Sequence, residues 1–189
     1  TDVYSMNQNK SYLGAKMTGL EEPYEKRTVE GDLGMRESSG SVLTGTYLSE
    51  AAAKTGLSEE QIHASIAKRM EEHEFLPDTK EEQELDDCIA AAAIRRAARR
   101  HAGYVRKAYT TGCRMFQYGK NLSEITAVIG TGGILVFNPR AAELLKEVEK
   151  KADDADALLP EKVTSYLDTE YVLFAAGLLR ETDEETALC

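Results

Sequence analysis

Three short stretches carry residue types suited to holding an anionic ligand. Gly130-Thr131-Gly132-Gly133 follows the apolar, partly β-branched run Ile125 to Ile129. Glycines at such a place let a flat ligand or a phosphate approach the backbone closely. In open α/β sheets, ligands sit outside the carboxyl ends of strands. The Asn138-Pro139 pair just beyond reads as a cap followed by proline at a first helical position, and a helix start offers free N–H groups. A tight turn without a ligand explains the same four residues equally well. The second stretch is Glu30-Gly31-Asp32-Leu33-Gly34, where Asp32 is of the type that orients Mg²⁺, an ion held by one or two carboxylates together with phosphates. A plain glycine turn is the competing reading. The third is Thr1-Asp2 at the start of a strand, where an Asp is unremarkable alone.

Several chemistries are excluded by spacing. No Gly-Lys-Ser/Thr follows the glycines, so this is not a phosphate-cradling P-loop, and the G-x-G-x-x-G dinucleotide spacing fails. No G-x-S-x-G elbow occurs. His63, His73 and His101 show no metal-ligand spacing and read as ordinary surface or helix-end histidines; no metal site is expected. Cys88, Cys113 and Cys189 are too scattered for a disulfide framework and fit a reducing, cytoplasmic compartment.

The 189 residues suffice for one domain with a sizeable core. Acids outnumber Lys plus Arg by 33 to 23, a formal charge of −10, which disfavours nucleic acid as a partner. No apolar run approaches the roughly 18 residues of a membrane helix, and no signal peptide is evident at the start.

The elements that must position these residues follow from periodicity. Thr1 to Met6 reads as a strand, and Arg27 to Met35 starts as a second and breaks at Gly31 and Gly34. Leu48 to Thr55 reads as a helix closed by Gly56. Ser58 to Gln61 is a capping box, and the helix it opens buries Ile62, Ile66 and Met70 at a spacing of four. Glu71 to Asp87 holds nine acids and one Lys, the composition of a solvated helix end and loop. A long Ala-rich helix then runs from about Glu84 to Lys107, with Arg95, Arg96, Arg99, Arg100, Arg106 and Lys107 toward its end. That distribution suits the helix dipole. It also suits a basic face for an anionic ligand, an acidic partner or the chain's own acidic segment. Ile125 to Ile129 fits a strand covered on both faces. The next helix buries Ala141, Leu144, Leu145 and Val148, Val163 to Leu167 is a further strand, and Asp168 caps a last helix through Leu179. The order implies an α/β layered fold. The core is expected in residues 1–37 and 84–180, with a helical insertion at 38–83 and an acidic flexible tail at 181–189.

Taken together, Thr1-Asp2-Val3, Arg27 to Gly34, Thr126 to Gly133 and Asp168 to Leu179 resemble the second half of the actin, sugar-kinase and heat-shock-chaperone ATPases. Within that superfamily the chain is similar to the MutL accessory proteins of glutamate mutase, which are unrelated to the mismatch-repair protein of the same name. The segments that carry this are Val29 to Arg36, Arg100 to Gly103, Val128 to Gly133 with Asn138-Pro139, and Leu158 to Leu179. Leu48 to Thr79 carries none of the motifs.

The resemblance implies a partial ribonuclease H-like mixed sheet flanked by helices, the second half of an actin-like ATPase fold with a helical insertion. It implies a chaperone that uses ATP or ADP with Mg²⁺ to reactivate an adenosylcobalamin-dependent mutase, without itself binding cobalamin. ATPase activity is expected only of a longer chain that supplies the first half. Gly130, Thr131, Gly132 and Gly133 would cradle the adenosine and nearby phosphates, Gly31, Asp32 and Gly34 would lie near the phosphates, and Asp2 at the edge of a phosphate hairpin. The partners implied are the mutase and the N-terminal half of the same polypeptide. Two rival functions remain open. One is an interaction module without nucleotide, docking through Glu71 to Asp87 and Arg95 to Lys107. The other is a small-metabolite kinase of the same superfamily.

Overall fold

The computed structural model describes residues 1–110, 112–180 and 182–187. In chain order the elements are β1 (Asp2–Met6), β2 (Lys16–Thr18), β3 (Glu25–Val29), α1 (Ser39–Val42), α2 (Thr46–Thr55), α3 (Glu59–Glu71), α4 (Lys80–His101), β4 (Tyr104–Thr110) and β5 (Gly112–Tyr118). They continue with β6 (Ala127–Gly130), α5 (Gly133–Val136), α6 (Ala141–Leu145), β7 (Thr164–Leu167), α7 (Leu173–Arg180) and α8 (Glu184–Ala187), with 3₁₀ turns at Tyr12–Gly14 and Lys146–Val148. Among the described residues the strands form three small sheets. β1 pairs antiparallel with β3, β5 lies between parallel β2 and antiparallel β4, and β6 pairs parallel with β7. The chain is thus an α/β protein of mixed sheets flanked by helices.

The helix α4 is the spine. Thr79 caps it by accepting from the Glu82 N–H at 3.2 Å. Glu81 and Glu82 lie in its first turn and Arg99, Arg100 and His101 in the last, the arrangement its dipole favours. The neighbouring helices start and stop on local signals. Ser58 and Gln61 form a reciprocal capping box on α3, and Gly56 closes α2 in the left-handed region, φ 72°.

Around the first half of α4, Leu33, Val42, Leu43, Ile62, Leu85 and Ile89 are almost completely buried in one cluster. Each such side chain contributes about 1.5–3 kcal/mol on burial. The segment 38–83, expected as a helical insertion, shares this cluster with Leu33 and α4. Arg69 is fully buried beside it and donates from Nε to Asp86 Oδ1 at 2.7 Å and to the Ser65 and Glu82 carbonyls. Asp86 also receives Arg36 at 3.0 Å. A second cluster joins the middle of α4 to Leu135, Ala141, Leu144 and Leu145 under Val128 and Leu167.

Four expectations are corrected. The long helix does not reach Lys107: it ends at His101, and Arg106 and Lys107 lie on β4. Gly103 makes the break, because it sits against the backbone of Tyr118 and Gly119, where no side chain fits. On α3 the buried residue after Ile62 and Ile66 is Arg69, while Met70 is 42% exposed. Arg69 goes inward because Asp86 and two carbonyls satisfy its guanidinium there. Pro139 precedes α6 rather than opening it; Asn138 Oδ1 instead accepts from the Arg140 N–H in a local turn, and Val148 is only half-buried. Finally, β6 is not covered on both faces: Ala127 and Ile129 are exposed. Of the tail, Glu181, Leu188 and Cys189 lie outside the described residues.

Candidate functional site

The turn after β3 is built by its neighbours. Leu33 points into the core and anchors the loop, while the Thr1 hydroxyl donates to the Leu33 carbonyl at 2.6 Å. Ser38 donates to the Gly31 carbonyl at 2.7 Å and Ser41 to that of Asp32. The space beside the Gly31 α-carbon is open. Asp32 is gripped by Arg100 from the last turn of α4, at 2.6 and 2.8 Å, and the same guanidinium reaches Glu30 at 2.5 Å. Hydrogen bonding to Arg100 holds the Asp32 carboxyl below the usual carboxylate range. Asp2, on the adjoining β1, is likewise engaged by Arg27 across the sheet, at 2.5 and 3.0 Å, which lowers its pKa.

The second loop leaves the carboxyl end of β6. Gly130 is buried, and a side chain there meets Leu135 and Leu145 at 2.8 Å. Gly132 has φ 100° and ψ 151°, a conformation reserved for glycine, and its carbonyl accepts from the Leu135 and Val136 N–H groups that begin α5. Nothing stands beside the Gly132 α-carbon, and beside Gly133 the nearest atom is Phe137 Cδ2 at 4.0 Å. Thr131 is exposed. Asp168, at the end of β7, accepts from the Val172 and Leu173 N–H groups at 3.0 and 3.2 Å, as a cap should.

The structure therefore brings Asp2, Gly31, Asp32 and Gly34 to one end of the β1–β3 ribbon, and sets Gly130 to Gly133 on a separate sheet. Met35, just beyond the first loop, packs against both hydrophobic clusters and links the two regions. Asp87 of α4 reinforces the link by holding Asn138 at 2.5 Å and pairing with Arg140. Two clefts lie elsewhere. One of about 200 Å³ is lined by Arg99, Gly103, Tyr104, Arg106 and Asp156, and one of about 130 Å³ lies between α2 and α4 beside Arg95.

The backbone at Gly31, Gly132 and Gly133 fits close approach by a flat or phosphorylated ligand. The carboxylates do not fit a cation as they stand, because Asp2 and Asp32 are both committed to arginines. Among the described residues no group of three or more His, Cys, Asp or Glu is gathered for a metal.

The arginines of α4 turn inward to the chain itself. Arg95 binds Asp153 and Asp154 at 2.7 and 3.0 Å, Arg99 reaches Asp154 at 2.6 Å, and Arg96 donates to the Ser41 and Val42 carbonyls. Their acidic partners, Glu30, Asp32, Asp153 and Asp154, all lie outside the Glu71–Asp87 run, whose Asp86 and Asp87 pair instead with Arg36, Arg69 and Arg140.

Sequence reasoning missed His101, which is fully buried between the Ser5 hydroxyl at 2.7 Å and the Thr28 hydroxyl at 2.9 Å, so that α4 is bolted to β1 and β3. Burial, then Lys26 and Lys120, pushes its pKa down to about 4. Lys120 is also fully buried, donating to the Pro23 and Tyr24 carbonyls, and burial lowers its pKa. The neighbouring Gln117 and Asn121 hold Asn9, Lys10 and Tyr12. The run Gln117-Tyr118-Gly119-Lys120-Asn121, a polar cluster at the end of β5, was the available signal. Cys88 is a free buried thiol whose pKa burial raises; the Cys113 side chain and Cys189 lie outside the described residues.

A family model described as MutL protein matches residues 1–189, the whole of the sequence. The chain belongs to the MutL family. Protein MutL from Clostridium tetanomorphum is 38% identical over 190 residues, covering 96% of this chain and 40% of that protein. The chain thus spans about two fifths of this MutL relative's length. No solved structure matches it. Among the described residues no helix is long and apolar enough to cross a membrane.

Proposed function

We propose that this MutL chain forms part of an accessory protein that uses a nucleotide to reactivate an adenosylcobalamin-dependent mutase of the glutamate mutase type. The observation that carries the reading is the family match over residues 1–189. It is supported by the strand–glycine–helix geometry at the carboxyl end of the parallel β6–β7 pair, the place where α/β sheets receive ligands, and by the open backbone at Gly31, Gly132 and Gly133. In this reading the fold is the second half of an actin-like ATPase, and the full polypeptide supplies the other half.

ATP or ADP with Mg²⁺ is the group implied, and its binding and hydrolysis would supply the free energy for a change of conformation. The backbone of Gly130 to Gly133 is the part of this chain that would receive the adenosine side, with Gly31 to Gly34 toward the phosphates. Asp32 would serve a cation only after leaving Arg100, which holds both of its carboxylate oxygens. The rival reading as a docking module has less to stand on at α4, because Arg95, Arg99 and Arg100 pair with acids of the chain itself and Arg96 with its carbonyls.

The direct test adds full-length protein, ATP–Mg²⁺ and fresh adenosylcobalamin to a mutase inactivated by turnover. Nucleotide-dependent recovery of mutase activity is expected. Recovery that is equal without nucleotide, or none at all, contradicts the proposal.

A further inference from the structure

The face of β6–β7 turned away from α6 carries Ala127, Ile129, Thr164 and Tyr166. Ile129 and Tyr166, which the parallel register sets side by side, are 54% and 55% exposed. Parallel sheets are found with both faces covered, and neither strand has a further partner among the described residues. The helix α7 shows the same lack. Residues 171–179 include no charged side chain, yet none of α7 is buried, and Phe174 and Leu178 are 71% and 67% exposed. A helix apolar on all sides belongs inside a protein. Its start is nonetheless well fixed: Tyr171 is held at φ 55°, and Asp168 takes the next two N–H groups.

We propose that in the full-length MutL polypeptide the part of the chain outside these 189 residues packs permanently over the β6–β7 face and α7. Two observations select this occupant over a transient partner. The β6–β7 face and residues 171–179 lack charge, the mark of obligate interfaces rather than of dissociable ones with polar rims. The chain covers only 40% of its Clostridium relative; a polypeptide of that relative's length would carry a large tethered segment, and tethering raises effective concentration to the millimolar range. The inference rests on burial and family length, and is independent of nucleotide binding.

Hydrogen exchange on the full-length protein, free of nucleotide and mutase and at two concentrations tenfold apart, tests it. Amides of α7 and β6–β7 are expected to exchange at least about a hundredfold more slowly than unprotected chain, equally at both concentrations. Phe174→Asp is expected to abolish protection of α7 while leaving that of α3 and α4 unchanged. Fast exchange of α7 in the wild type overturns the proposal. So does protection that grows with concentration, which would mean a second copy, or protection that arises only when mutase is added.

Discussion

The two ends of this molecule are finished to different degrees. Around the first half of α4, helices α1 to α3 close a core in which Leu33, Ile62, Leu85 and Ile89 are fully buried, and even Arg69 is completely enclosed. At the other end, β6–β7 is covered on one face only and α7 has no buried residue. The helical patterning is strong in both regions, so local propensity does not separate them. The difference is whether the apolar face made by the sequence meets another element within these residues. Among the described residues the helical block does; the outer β6–β7 face and α7 do not, and the glycine loop offered as a ligand site follows β6.

The comparison can be broken or sharpened by mutation. Gly103→Ala has the largest expected effect. A Cβ there collides with the Tyr118 carbonyl and lies 2.6 Å from the Gly119 carbonyl carbon, all backbone that cannot yield. A loss above about 4 kcal/mol is expected, seen as failure to fold or a collapsed denaturant midpoint. Asp86→Ala follows, at about 3–5 kcal/mol, because it strands the buried Arg69 charge. Leu85→Ala and Ile89→Ala in the same block cost about 2–5 kcal/mol each. Denaturant unfolding of the full-length protein measures all of these.

How far this contrast was legible beforehand can be read from particular residues. The Ser58 capping box, the Gly56 stop, the Asp168 cap and strands β1 and β7 were visible because each is decided within a few residues. The β4–β5 hairpin was not, since Arg106 and Lys107 continue the basic pattern of α4, and only the contact of Gly103 with β5 ends the helix. The burial of Arg69 was not legible, because its partner Asp86 lies 17 residues away across a loop. The candidate site was legible as two glycine turns. Their arginine latches, Arg27 and Arg100, were not, and neither was His101, whose partners Ser5 and Thr28 lie 96 and 73 residues distant.

A pH series sharpens the picture at the second half of α4. The folded His101 titrates near 4 against about 6.5 when unfolded. Its contribution is therefore complete above pH 6.5 and is lost as pH falls through 4, by up to about 3 kcal/mol. His101→Gln is expected to flatten the stability curve over that window, measured by denaturant midpoints from pH 7 to 4. Smaller still is the effect of Arg100→Ala. The Asp32 carboxyl is expected to move up toward its ordinary pKa, as followed by carboxyl NMR, with little change in global stability.

The central claim, a nucleotide site at the β6 glycine loop, is tested most directly by calorimetry of ADP–Mg²⁺ with the full-length protein and its Gly133→Val variant. A side chain at Gly133 makes only an ordinary contact with Phe137, so the fold is expected to survive while ligand approach is blocked. Saturable binding by the wild type and its loss in the folded variant are predicted. No binding by the folded wild type, or equal binding by both, would contradict the account.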